Sequence, residues 1–245
     1  MNDKLQQIDT LLGELNQYRA NENYRITEAL EIEYTYDSNR IEGNTLTLHE
    51  TDMVVNKGIT IAGKGLKEHL EAINHKEAID FIKNIAQKKE PISERVLLDI
   101  HAIVLHSINK DNAGKYRRVP VIISGSQHIP PQPYLLQPKM DELFQWYEAN
   151  KDSMHPVILA AQMHEKLVSV HPFIDGNGRT ARLLMNLILM QHGYPIANIK
   201  GDNETRRRYY ETLEEASSGD NSAFVEFIED VVIQSLTYYL KIIRG

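Results

Sequence analysis

Apolar residues spaced three and four apart run through almost the whole chain, and that period constrains the fold more than any other feature. Leu5, Ile8, Leu11, Leu12 and Leu15 share one face of a first helix. A second is expected over 26–40, with Leu30, Tyr34 and Asp37 spaced around it and Gly43 as its stop. Leu70, Ile73, Ala78, Phe81 and Ile85 mark a long helix over 66–87. Pro91 opens another, with Ser93 as its cap and Val96, Leu97, Ile100 and Val104 facing inward. Further helices are expected over 139–150, 156–169, 179–192, 204–216 and 222–243. The period breaks at 114–138. There β-branched Val119 to Ile123 precede Ser124-Gly125-Ser126, which predicts a short β-hairpin, and Pro130, Pro131, Pro133 and Pro138 force an extended connection. The 59–65 stretch reads as a loop inside the domain. These patterns predict an all-α protein with one small hairpin, without internal repeats or a low-complexity linker.

Composition narrows the function classes. A net charge of −7 argues against general affinity for nucleic acid or anionic membranes. The basic runs at 115–118 and 206–208 read as solvated faces. With no cysteine, disulfides, cysteine-ligated zinc and thiol catalysis are excluded. The first twenty residues carry acidic groups and helical spacing, unlike a signal peptide, and no apolar run is long enough for a membrane span. A cytoplasmic protein is therefore expected.

The stretch from His171 to Arg182, His-Pro-Phe-Ile-Asp-Gly-Asn-Gly-Arg-Thr-Ala-Arg, concentrates the chemistry. Leu183, Leu184, Leu187 and Ile188 follow at helical spacing, so the loop opens into a helix whose first N–H groups are unpaired and suit phosphate oxygens. Gly176 and Gly178 let the backbone approach an anion, and Asn177 adds an amide donor. Arg179 and Arg182, three apart, share a helical face and can both address one polyphosphate. Asp175 is the only carboxylate in the loop, and Mg²⁺ favours few carboxylates alongside substrate phosphates. Outside this setting, each residue has a plainer reading: a capping histidine, a turn aspartate, exposed arginines.

This stretch resembles the Fic/DOC family signature H-P-F-x-[D/E]-G-N-G-R-x-x-R at all nine specified positions. The resemblance implies a helical enzyme that transfers a nucleotide-derived group, most often AMP from ATP, to a protein hydroxyl. It implies His171 as the base and Asp175 as the Mg²⁺ ligand. ATP would be held by Asp175, Gly176, Asn177, Gly178, Arg179, Thr180, Ala181 and Arg182, with Tyr209 and Tyr210 near the adenine. Gly125, Ser126, Gln127 and His128 would form the flap, the hairpin lying across the target segment and part of the nucleotide. Ser38-x-x-x-Glu42-Gly43 is similar to the family's inhibitory pattern, in which the glutamate pairs with the second motif arginine, here Arg182. The expected division is 1–60 for a helical segment holding the inhibitory helix and 61–245 for the catalytic core, together one compact unit. Expected partners are a target protein, a second copy of the chain as modification substrate or oligomer, and neither nucleic acid nor membrane. Transfer of phosphate or UMP, removal of AMP, and a non-catalytic nucleotide-sensing module remain open alternatives.

Overall fold

The computed structural model describes residues 3–21 and 24–244, and among these are ten α-helices and no strand. They are α1 (Asp3–Tyr18), α2 (Tyr24–Ile41), α3 (Leu48–Lys57), α4 (Leu66–Lys88), α5 (Glu94–Leu105), α6 (Leu136–Asn150), α7 (Pro156–Val170), α8 (Asn177–Gln191), α9 (Asn203–Ser217) and α10 (Ser222–Arg244). Helix α8 is the axis of the molecule. Leu183, Leu184, Met185, Leu187, Ile188 and Leu189 are all fully buried, so the helix is enclosed on every side rather than laid along a surface. It packs on α7, α4 and α5, and α2 crosses its first turns. Helix α1 packs along α10.

Helix α3 lies outside the helices that apolar spacing predicts, because only Thr51 and Val54 of its face are buried. Its sequence signal is at the ends. Thr47 and Glu50 form a reciprocal capping box, and Gly58 closes the helix at φ 64°. Helix α6 starts at Leu136, ahead of Pro138, which a first turn tolerates because its N–H positions have no intrahelical acceptor.

The all-α class holds, but the expected hairpin is not a strand pair. Residues 118–132 form two extended arms around a turn, closed by one backbone bond from Ser126 N–H to Ile123 O (3.2 Å) with Gly125 at φ 81°. Pro120, Pro130 and Pro131 have no N–H to give a ladder. Side-chain bonds hold the arms instead. No helix among the described residues is long and apolar enough to cross a membrane.

Candidate active site at the head of helix α8

Helix α7 ends at Val170, and His171 takes a left-handed conformation (φ 48°, ψ 57°) while its N–H donates to Leu167 O at 3.0 Å. A non-glycine residue in that region costs about 1 to 3 kcal/mol and persists only where the surroundings enforce it. The enforcement is visible. Arg117 Nε donates to His171 O at 2.9 Å, and the Arg117 N–H donates to Pro172 O at 2.9 Å. Phe173 is fully buried, its ring stacked on His101 (centroids 3.6 Å apart, planes 8° from parallel). The Asn177 side chain spans the loop: Phe173 N–H donates to Asn177 Oδ1 and Asn177 Nδ2 donates to Phe173 O, each at 2.9 Å.

His101 fixes the far end. Its Nδ1 accepts from Gly114 N–H at 3.0 Å, which leaves Nε2–H to donate to Asp175 O at 3.0 Å. Burial pushes the His101 pKa down to about 4, so the ring keeps this neutral tautomer. Gly176 sits at φ 80° against His101 and Val104, and α8 begins at the next residue.

Around the mouth of α8 lies a cleft of about 590 Å³, lined by His171, Glu42, Gly178, Tyr210, Ser126 and His128 among others. Burial, first, and the nearby Arg117 and His128 push the His171 pKa down to about 4, against the pull of the Glu42 carboxylate. The imidazole is therefore neutral and able to accept a proton at pH 7.

The two arginines of α8 are both almost fully buried but face different partners. Arg179 Nη2 donates to Asp175 Oδ1 at 3.0 Å, and Nη1 lies 3.4 Å from Glu71 Oε1 on α4. The second oxygen of Asp175 faces Lys67 Nζ at 3.5 Å. Burial works to raise the Asp175 pKa, but Arg179 and Lys67 outweigh it and hold the carboxyl below its usual range. Arg182 turns toward the end of α2. Its Nε donates to Ser38 Oγ at 3.0 Å, and its Nη2 to Ser38 O at 2.9 Å and to Glu42 Oε1 at 2.7 Å. Burial alone would lower the Arg182 pKa, and Glu42 more than reverses that. A β-carbon at position 178 would collide with the Glu42 carboxylate, so Gly178 makes room for this pair.

Several expected site residues do not present side chains to the cleft. Thr180 and Ala181 are fully buried and offer only backbone. The Asn177 amide is engaged with Phe173 and offers its N–H alone. The tyrosine pair divides. Tyr209 is buried, its hydroxyl between Arg182 Nη1 (3.3 Å) and His164 Nε2 (3.1 Å). Tyr210 is 43% exposed, with the Arg206 guanidinium 5.7 Å from its ring centroid. Gly125, Ser126 and His128 of the flap line the cleft. Ser126 Oγ and Gln127 N–H both donate to Glu214 on α9, the latter at 2.8 Å, and His128 Nε2 bonds Ser169 O at 2.7 Å.

Sequence spacing does not reveal His101, Glu71, Glu214 or Arg117. Arg117 overturns the expectation that the basic run at 115–118 is solvated, being 3% exposed. Its Nη1 donates to Val119 O at 3.1 Å and its Nη2 to Pro131 O at 2.6 Å, so it is spent on backbone carbonyls rather than water. No group of three or more His, Cys, Asp or Glu side chains among the described residues could hold a metal ion by itself.

Residues 91–189 match the family model described as Fic/DOC family. A Nematostella vectensis protein named Protein adenylyltransferase Fic is 39% identical over 210 residues, covering 85% of this chain and 48% of that protein. The chain thus spans about half the length of the curated relatives it matches. Among solved structures, Fic-1 (residues 134–508, E274G) from C. elegans superposes with a TM-score of 0.86 at 32% identity, covering 98% of this chain and 71% of that one. A Fic domain containing signaling protein from Bacteroides thetaiotaomicron gives a TM-score of 0.87 at 30% identity, with 98% of both chains covered.

Proposed function

The chain belongs to the Fic/DOC family, and on that premise we propose that it is a protein adenylyltransferase, moving AMP from ATP to a protein hydroxyl under restraint by its own α2. In this reading His171 takes the proton of a Ser, Thr or Tyr hydroxyl as that oxygen attacks the α-phosphorus of ATP. The bond from the α-phosphorus to the bridging oxygen breaks, and diphosphate leaves. The first-turn amides of α8 hold the phosphates, helped by the partial positive charge of the helix end. Tyr210 offers the ring face for adenine, and Tyr209 acts through its hydrogen bond to Arg182.

Asp175 fits Mg²⁺ as a half-exposed, ionised carboxylate that supplies one ligand and leaves the rest to phosphates and water. Bound there, the ion would neutralise charge on the phosphates and the departing diphosphate. Asp175 would orient it, with Arg179 orienting Asp175 in turn.

The observation that carries the reading is the Glu42–Arg182 pair at 2.7 Å. It spends the buried guanidinium best placed for the far end of a triphosphate on a carboxylate of the same chain. A net preference of about 1.4 to 2.7 kcal/mol for this arrangement suppresses transfer by roughly ten- to a hundredfold. Residues 1–60 supply the restraint and 61–245 the catalytic unit. A cytoplasmic location and a separate or identical protein chain as acceptor complete the proposal.

Incubation of Glu42→Gly with Mg²⁺ and ATP labelled separately at the α- and γ-phosphate tests it. Retained α-label on protein supports AMP transfer. Retained γ-label alone establishes phosphate transfer instead, and ATP binding without any label retained establishes a sensing module.

A further inference from the structure

Arg117 lies outside the signature stretch, yet its side chain reaches three separate segments. Nε donates to the carbonyl of His171 (2.9 Å), Nη1 to that of Val119 in the first flap arm (3.1 Å), and Nη2 to that of Pro131 in the second (2.6 Å). A planar guanidinium can serve three such acceptors at once, which an ammonium cannot do in a fixed geometry. The side chain is 3% exposed and its partners are carbonyl dipoles rather than a carboxylate, so it is a costly charge to bury for a mere surface residue. The arms have no ladder between them, so Arg117 closes the base of the flap while Glu214 closes its tip.

We propose that Arg117 is a positioning residue: its guanidinium locks both flap arms and the His171 carbonyl into one frame, so that a hydroxyl on a target segment laid along the flap meets the imidazole at a set distance. This rests on the transfer reading above. The frame also enforces the left-handed backbone of His171, because the carbonyl it grips is that residue's own. Nucleotide binding depends on it less, since the loop that opens α8 is also held by Asn177 on Phe173 and by His101 on Asp175 O. Loss of the frame therefore acts chiefly on kcat for transfer and changes ATP affinity little. A misplacement of the order of 1 Å costs about a hundredfold in rate.

The test compares Arg117→Lys and Arg117→Gln, each alone and on the Glu42→Gly background. Four measurements are made: NMR titration of ¹³C-labelled imidazoles, amide hydrogen exchange over 121–129, ATP affinity by calorimetry, and kcat for AMP transfer. Besides Arg117, the charged or titratable groups facing His171 are Glu42 from the end of α2 and His128 from the flap. Arg117→Lys retains the charge and removes the fork. It should speed exchange over 121–129 by about tenfold or more. The His171 titration should move up from about 4 toward the free value as the ring gains water. ATP affinity should stay within about twofold, with kcat down by about 10- to 100-fold. A folded Arg117→Lys with unchanged exchange and unchanged titration overturns the inference. Should both variants fail to fold, the Arg117 Nε proton of the unsubstituted protein decides: slow exchange supports the frame, and solvent-rate exchange overturns it. Absence of transfer by Glu42→Gly alone refutes the transfer reading, while exchange and titration still decide whether the frame exists.

Discussion

The loop at 171–176 and the flap at 118–132 face the same cleft, but they are held in opposite ways. The loop is tied to itself and to its own helix by Asn177 on Phe173, with His101 stacked beneath and bonded to Asp175 O. The flap has one backbone bond of its own, and is fixed by Arg117 at its base, Glu214 at its tip and Ser169 O on His128. The loop has ties of its own besides the one it shares with the flap through Arg117. The flap rests almost wholly on side-chain ties, so losing Arg117 should loosen it more than the loop.

The largest effect expected from breaking this contrast is on the loop. His171→Ala on the Glu42→Gly background should lower AMP transfer by about 10²- to 10⁴-fold with ATP binding intact, measured by intact mass against time. Asn177→Ala should cost stability rather than chemistry alone. It leaves the buried N–H and C=O of Phe173 without their partner, a loss of about 1 to 3 kcal/mol readable as a lower urea midpoint.

The acid dependence sharpens the same contrast. His171 and His101 have folded pKa values near 4 and His164 near 3, all depressed chiefly by burial. An unfolded histidine titrates near 6.5. Between those values the unfolded chain binds more protons, so stability rises with pH across that window and falls as pH drops through it. Denaturation midpoints should therefore decline steadily from pH 7 to about 4.5. The proton-accepting form of His171 persists to about 4, so the acid limb of transfer in folded enzyme should lie well below that of a free imidazole. The smallest effect belongs to the flap tip. Glu214→Ala should change stability by no more than about 0.5 kcal/mol, yet speed amide exchange at Gln127, whose N–H it releases.

Part of the loop is legible in sequence because some of its contacts are local, Asn177 on Phe173 above all, whereas those from His101 and Arg117 are not. The apolar run after Arg182 predicts a buried α8, and the twelve-residue spacing sets Asp175, the glycines and both arginines around its first turn. The pairing of Glu42 with Arg182, expected from a resemblance, spans 140 residues, and no periodicity could have shown it. The flap is the reverse case. Its β-branched run predicts strands, but prolines remove the ladder donors, and what replaces them is an arginine from a run that reads as solvated. Tyr209 and Tyr210 are adjacent and chemically alike, and only the packing of α9 against α7, α8 and α10 separates the buried one from the open one. Helix α3 escapes apolar spacing because its buried face is thin, and its ends are set by Thr47, Glu50 and Gly58.

The central claim is that a carboxylate at the end of α2 holds Arg182 away from the nucleotide. The rate of AMP incorporation, followed by intact mass in wild type, Glu42→Gly and Glu42→Gly/Arg182→Ala, tests it most directly. The account predicts roughly a ten- to hundredfold rise in the first variant and its loss in the second. Equal rates in wild type and Glu42→Gly would contradict it.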